Sequence, residues 1–214
     1  MNNKKKFWRI SHASSDSREF AWASGYGLLD GENPYLPANL LASKLESERL
    51  FPRQPGLTIT NSSPRSKAEK WPDFLGHGGG APSYFLSETV VGDLQAYGVP
   101  TARITEMPIA EIDTKGLRSL PPPKYFIVET LPGIEIDFLA SKIPTDEKGI
   151  PILNPLPKPW PPIWVLKASS WKGNDLFSFS NFSNSLTMIC TEKIIDISRH
   201  QNWSNCRFEP IYAI

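Results

Sequence analysis

The chain has 214 residues, which is enough for one sizeable core with an irregular extension. Hydrophobic residues make up 40% and charged residues 21%, so the composition excludes wholesale disorder. The net charge of +1 argues against the basic stripe of a nucleic-acid-binding protein. The 21 prolines and seven tryptophans instead predict short elements and large aromatic anchors.

The first 70 residues are polar and rich in turn formers. Charges interrupt the apolar run that follows Lys4, so we do not expect this N-terminus to be a signal peptide, and no stretch approaches the ~18 apolar residues of a membrane helix. We therefore predict a cytoplasmic protein without a membrane partner. We divide it into an irregular N-terminal region (1–70) packed on a main domain (71–214).

Short elements are predicted within this N-terminal region. Apolar bursts at 7–10, 20–22 and 57–60 predict edge strands. Leucines recur near one face of the segment 39–50 with charges opposite, and this pattern predicts a helix.

The main domain opens with a strand–helix–strand pattern. A strand is predicted at 83–86, followed by Ser87 as helix N-cap and a helix over 89–97. Gly98 ends that helix, and a second strand follows at 103–107.

The rest of the main domain reads as strands separated by prolines. They are predicted at 125–128, 134–138, 163–166 and 176–179, and the proline-rich segment 155–162 reads as polyproline-like.

The last 30 residues repeat the first unit. The segment 189–195 resembles 85–91, since each has an apolar strand, a hydroxyl N-cap, a glutamate and a branched pair facing the core. The second helix is predicted at 194–202, and Arg207 repeats Arg103 in the returning strand. Chance similarity of two ordinary units is the alternative to duplication. The predicted fold class is α+β: a mixed, mainly antiparallel sheet with a few short helices and two related strand–helix–strand units.

Patterns that resemble catalytic sites are incomplete. His77 lies in a glycine-rich run like the oxyanion loop of esterases, but no G-x-S-x-G nucleophile motif follows it, so a loop is the simpler interpretation. Glu135 and Asp137 share one face of a strand and imitate a carboxylate pair, although alternation makes that face the solvent side. Cys190 precedes a helix start, yet its apolar neighbours favour an inert position.

No cofactor or metal site is predicted. The cysteines, Cys190 and Cys206, form no CxxC pair and are expected to be reduced, and the histidines lack acids or cysteines at ligand spacing. The window 88–137 contains eight acids and four bases, a net charge of 4 − 8 = −4. This moderately acidic middle suits a basic protein partner, although a solvated face is the simpler explanation.

The main domain resembles a bacterial family. The shared residues are Trp71-Pro72-Asp73-Phe74-Leu75, Phe85-Leu86-Ser87-Glu88, Tyr125-Phe126-Ile127-Val128 leading to Ile136-Asp137, Asp175-Leu176-Phe177, and Cys190-Thr191-Glu192-Lys193-Ile194-Ile195 through Trp203 to Pro210. With them the chain resembles family eleven of the immunity proteins of polymorphic toxin systems, formerly a domain of unknown function. The resemblance covers roughly residues 70–214, and the proline-rich insert and the N-terminal region depart from it.

The resemblance implies a protein that binds a cognate toxin effector domain and neutralises it by occlusion, with no catalytic residues of its own. For the toxin interface we predict Trp71, Trp160 and Trp171 as apolar anchors, with core packing as the alternative for each, and Glu129, Glu135 and Asp137 as an acidic face. Two other functions stay open, a hydrolase-type enzyme that uses His77 and a peptide- or glycan-binding module that uses surface tryptophans.

Overall fold

A computed structural model describes residues 6–13, 20–27, 56–61, 67–77, 84–152, 164–182 and 188–214. The strands are β1 Phe7–His12, β2 Ala21–Gly27, β3 Gly56–Asn61, β4 Phe74–His77, β5 Tyr84–Ser87, β6 Arg103–Met107, β7 Ile109–Ile112, β8 Tyr125–Glu129, β9 Leu131–Ile136, β10 Val165–Lys167, β11 Leu176–Phe179, β12 Ile189–Cys190 and β13 Cys206–Ala213. The α-helices in these ranges are α1 Glu88–Ala96 and α2 Glu192–His200.

The strands form two sheets. Seven of them form a sheet in the order β6-β8-β5-β4-β2-β3-β7, which with α1 we name the first half. The others form a closed barrel in the order β1-β12-β11-β9-β10-β13, which with α2 we name the second half. The parallel pairs are β2–β4, β3–β7, β9–β11 and β10–β13, and the others are antiparallel. The prediction of a mixed, mainly antiparallel α+β fold is therefore confirmed, whereas the closed barrel was not anticipated.

The two halves share an arrangement of strands. From the strand after the helix, the first half runs β6, β8, β5, β4, β2, β3, and the second runs β13, β1, β12, β11, β9, β10. Every corresponding pair has the same direction, including the parallel pairs β4–β2 and β11–β9. β7 pairs with β3 as the end of β13 pairs with β10. The two halves can therefore be compared position by position.

Buried apolar side chains form three clusters. One draws on all strands of the first half and includes Leu57, Phe85 and Tyr125. A second contains side chains from all six barrel strands, with Phe7 and Phe177 among the largest. The third cluster joins both helices to residues of both sheets. Each half thus has its own core, and the helices contribute to the core that joins the halves.

Of the two hydroxyl caps that the sequence predicts, the structure confirms the one at α1. The Ser87 hydroxyl accepts a hydrogen bond from the Val90 N–H at 3.4 Å, so α1 begins one residue earlier than predicted. α2 begins at Glu192 and ends at His200, two residues earlier at each end than predicted, and the Thr191 hydroxyl makes no cap hydrogen bond because it donates to Asp175. Gly98 and Asn202 lie at equivalent places after the two helices with positive φ angles of 65° and 55°, a conformation that ends a helix.

The predicted strands of the main domain are present with shifted bounds, and β7 was not predicted. β10 covers Val165–Lys167 where 163–166 was predicted, and β9 ends at Ile136 where residue 138 was predicted. β9 begins at Leu131, because Leu131 pairs with Phe177 of β11. The sequence argued against a strand here, since Pro132 and Gly133 are both unfavourable inside a strand. Gly133 suits this site, since a Cβ there would lie 2.5 Å from the Cβ of Phe177. Tertiary packing decides this boundary.

The short apolar segments predicted as strands in the N-terminal region, 7–10, 20–22 and 57–60, belong to strands β1, β2 and β3. They are integral to the sheets and not edges: β1 lies between β12 and β13, and β2 lies between β3 and β4. The predicted boundary at residue 70 therefore does not separate the strands of the fold. The predicted helix at 39–50 and the proline-rich segment 155–162 lie outside the described residues.

Candidate protein-binding face

One surface of the barrel is built from β9, β10 and the end of β13. β10 pairs with β9 through Leu166↔Ile136 and with β13 through Leu166↔Ala213. Leu166 and Ile136 are buried in the barrel core with Ala213 packed against them, and because side chains alternate, their neighbours point outward. The outward residues define what we name the outer face, namely Glu135, Asp137, Val165, Lys167, Tyr212 and Ile214.

The outer face carries two large exposed apolar side chains. Tyr212 is 70% exposed and Ile214 is 68% exposed. The Ile214 N–H donates to the Leu166 carbonyl at 2.9 Å, so its backbone is held against β10. An aromatic ring and an aliphatic side chain fixed on a sheet are typical anchors of a protein interface, because their burial requires no change of backbone.

Charged groups lie beside these anchors. The Lys167 ammonium donates to the Glu135 carboxylate at 3.2 Å, and this half-exposed ion pair compensates both charges. Asp137 lies across from Val165, and its Oδ1 accepts a hydrogen bond from the Ala140 N–H at 2.9 Å. Asp137 therefore holds a turn with one oxygen, and the face as a whole combines apolar anchors with a polar margin.

The equivalent surface of the first half is polar. Asp113 corresponds to Ile214, because its N–H donates to the Ile59 carbonyl at 2.7 Å as that of Ile214 does to Leu166. Glu111 pairs with β3 where Tyr212 pairs with β10. Both Glu111 and Asp113 are exposed. Since the fold accepts charged residues at these positions, folding does not explain the exposed apolar pair in the second half.

The structure places two predicted tryptophans in equivalent packing positions. Trp71 packs on Tyr125 with ring centroids 6.4 Å apart, and Trp171 packs on Phe7 at 5.8 Å. Both indoles are half-buried, and the Trp171 Nε1 donates to the Asn174 carbonyl at 3.0 Å. Each covers one aromatic residue of its core, so only part of each ring is available to a partner. The third, Trp160, lies outside the described residues.

The predicted acidic face is divided between the sheets. Glu135 and Asp137 lie on the outer face, and burial of Ile134 and Ile136 confirms the predicted alternation. Glu129 ends β8 in the first half, and its Oε1 lies 3.9 Å from the Nε of Arg103. The three acids do not share one strand face, because the chain passes from one sheet to the other after Glu129.

Sequence reasoning missed Tyr212 and Ile214. The signal was available in the alternation of the last strand, where Ile211 and Ala213 supply the core and leave two more large apolar residues for the other side. A strand that is apolar on both faces is either covered on both faces or exposes one to a partner.

The residues considered for catalysis have no shared arrangement in the described part of the chain. Both cysteines are free thiols, and burial raises the pKa of Cys190 and of Cys206. The backbone of His77 belongs to β4, and its side chain lies outside the described residues. Within the described ranges, no three His, Cys, Asp or Glu side chains are grouped to hold a metal ion, and no helix is long and apolar enough to cross a membrane.

Compared with models of known protein families and with curated proteins, the sequence has no match. The resemblance to the immunity family stays a prediction.

Proposed function

We propose that this chain is a bacterial immunity protein that acts in the cytoplasm, binds a cognate toxin effector domain and blocks it by occlusion, without catalysing a reaction. The observation that carries the proposal is the outer face, where Tyr212 and Ile214 stand exposed beside Asp137 and the Glu135–Lys167 ion pair. The resemblance in the main domain supplies the class of partner.

The chemistry of this face suits a tight contact between proteins. Burying Tyr212 and Ile214 removes apolar surface from water, while the carboxylates at the margin favour a partner with basic residues. The strands hold both anchors in place before binding, so little conformational entropy is lost. Of the predicted interface residues, Glu135 and Asp137 therefore contribute to the same contact as the two anchors.

The equivalent position in the first half provides a matched control. Tyr212→Ala removes an anchor of the outer face, and Glu111→Ala changes the corresponding outward residue on the polar surface of the first half. We expect Tyr212→Ala to weaken binding about 30-fold or more, because truncating an anchor of an interface removes about 2 kcal/mol. Glu111→Ala should leave the affinity within about threefold, since a residue away from an interface changes binding little.

The experiment is co-expression with the protein encoded beside this chain, followed by co-purification and titration of each purified variant. Unchanged thermal stability shows that a variant is folded. Wild-type affinity of both Tyr212→Ala and Asp137→Lys would remove the outer face from the proposal. Failure of the wild-type chain to bind or inhibit that protein would remove the immunity function itself, whichever residues are changed.

We also propose that the two strand–helix–strand units are related by duplication. The support is a second pair of matched contacts, in which Ser87 donates both its N–H and its hydroxyl to Asp73, at 2.9 and 2.8 Å, and Thr191 does the same to Asp175, at 3.0 and 2.8 Å. The motif of an aspartate before one strand and a hydroxyl residue at the end of the next strand thus makes the same pair of hydrogen bonds in each half.

A further inference from the structure

Strands β1 and β8 occupy the same place in the two halves. β1 lies between β12 and β13 and is antiparallel to both. β8 lies between β5 and β6 and is likewise antiparallel to both. Each therefore lies in its sheet between the strand that precedes the helix of that half and the strand that follows it.

Their side chains correspond as well. Phe7 begins β1 and Tyr125 begins β8, both are buried, and each packs against an equivalent tryptophan. The cross-strand registers agree, since Arg207 pairs with the fifth residue of β1 and Arg103 pairs with the fifth residue of β8. The local sequences are also similar, a lysine followed by two aromatic residues in each case, Lys-Phe-Trp from residue 6 and Lys-Tyr-Phe from residue 124.

The positions of these strands along the chain differ from their positions in space. β1 comes first in the chain but completes the second half, while β8 follows β7 and completes the first half. After β8 the chain crosses through the single residue Thr130 into β9 of the second half. After β1 it crosses into β2 of the first half. In both cases the next described strand of the chain belongs to the other half.

We infer that residues 7–112 and 125–214 are two copies of one folding unit that have exchanged their first strands. Each copy begins with a strand that lies in the sheet of the other half and continues with the remaining described strands and the α-helix of its own half. A reciprocal exchange accounts for the matching registers and for both crossings with one event, whereas independent placement of β1 and β8 leaves the correspondence without a cause.

The exchange makes each half depend on the other copy. β1 forms six residue pairs with β13 and two with β12, and it contributes the buried Phe7 to the barrel core and Ile10 to the core between the halves. Without β1 the barrel is open, its two neighbouring strands have unpaired edges, and Phe177 loses the ring that lies 5.7 Å away. We therefore expect β1 to remain bound when the chain between β1 and β2 is cut, and the second half to unfold when β1 is removed.

The experiment uses the full-length protein with a specific protease site in place of residues 14–19, cut after folding. The cut protein should retain its N-terminal peptide through gel filtration, as measured by mass spectrometry. Displacement of that peptide by mild denaturant should be accompanied by rapid hydrogen exchange in β11, β12 and β13. Protected amides in these strands after loss of the peptide would overturn the inference, because β1 would then be an appendage.

A matched pair of variants tests the dependence without cutting the chain. In the cut protein, Phe7→Ala should weaken peptide retention at least about a hundredfold, because the ring is fully buried in the barrel core. In the intact chain, Phe7→Ala and Tyr125→Ala should each accelerate the slowest amides of both halves, since each strand links the two. If Phe7→Ala opens the barrel while the first half keeps wild-type protection, the halves are independent and the exchange carries no structural dependence.

Discussion

Replacing Asp73 by alanine should destabilise the protein more than the same change at Asp175, although the two residues are equivalent. The Asp73 carboxylate accepts hydrogen bonds from the Ser87 hydroxyl and from both the N–H and the hydroxyl of Ser204, each at 2.8 Å. The two bonds from Ser204 connect the first half to the second. Asp73 therefore stabilises the junction as well as its own strand pair.

The magnitude follows from the number of bonds and their exposure. Asp73 is half-buried, so we assign about 1 kcal/mol to each of its three bonds, or about 3 kcal/mol in all. Asp175 accepts from the Thr191 hydroxyl and from the half-exposed Lys193 ammonium at 2.9 Å. The Thr191 bond contributes about 1 kcal/mol and the Lys193 pair about 0.5 kcal/mol, which gives about 1.5 kcal/mol.

Chemical denaturation of the wild type and both variants measures this difference as a change in the free energy of unfolding. For a chain of this size, a loss of about 3 kcal/mol lowers Tm by about 6–12 °C. The reasoning is refuted if Asp175→Ala destabilises as much as Asp73→Ala, because the contacts with Ser204 would then contribute nothing.

Three further outcomes are expected. Gly133→Ala should lower the free energy of unfolding by about 1–3 kcal/mol, because the added methyl group would overlap the Phe177 side chain. Gly92→Ala has open space in α1 and should raise the free energy of unfolding by about 0.5–1 kcal/mol. Equal denaturation midpoints for the two variants would contradict both expectations. Burial lowers the pKa of His12, outweighing the backbone hydrogen bond that raises it, so the unfolded chain gains that proton first. The free energy of unfolding should thus decline as the pH falls from about 6.5, the pKa of the unfolded chain, to the lower pKa of His12 in the folded protein. His12→Gln should show a smaller decline than the wild type across this pH range. Alkylation of Cys190 should be slow in the folded protein, since burial raises its thiol pKa, and fast in denaturant; rapid native labelling in a Cys206→Ser background would disprove this.

The sequence predicted features that depend on near neighbours. Ser87 as a cap and Gly98 as a helix end are local chemistry, since the cap bonds a residue three positions away and the glycine needs only a positive φ. The alternation around Glu135 was also readable, because a strand with one face in a core repeats every two residues. These features would be recognised in any fold that contained them.

Strand partners could not be read in this way. The place of β1 in the barrel depends on β12 and β13 near the other end of the chain, and no local pattern distinguishes them from the strands of the first half. The environments of Trp71 and Trp171 could not be read either, because an indole side chain suits an interface or a core equally well until its aromatic partners are known.

What the sequence determined by itself was therefore the kind of most of the described elements and the side of a strand such as β9 that faces a core, since period and capping are properties of adjacent residues. The tertiary structure alone decided which strands share a sheet and which apolar residues stay uncovered. Tyr212 is exposed only because the barrel core is filled by its neighbours Ile211 and Ala213, and that depends on packing between distant segments.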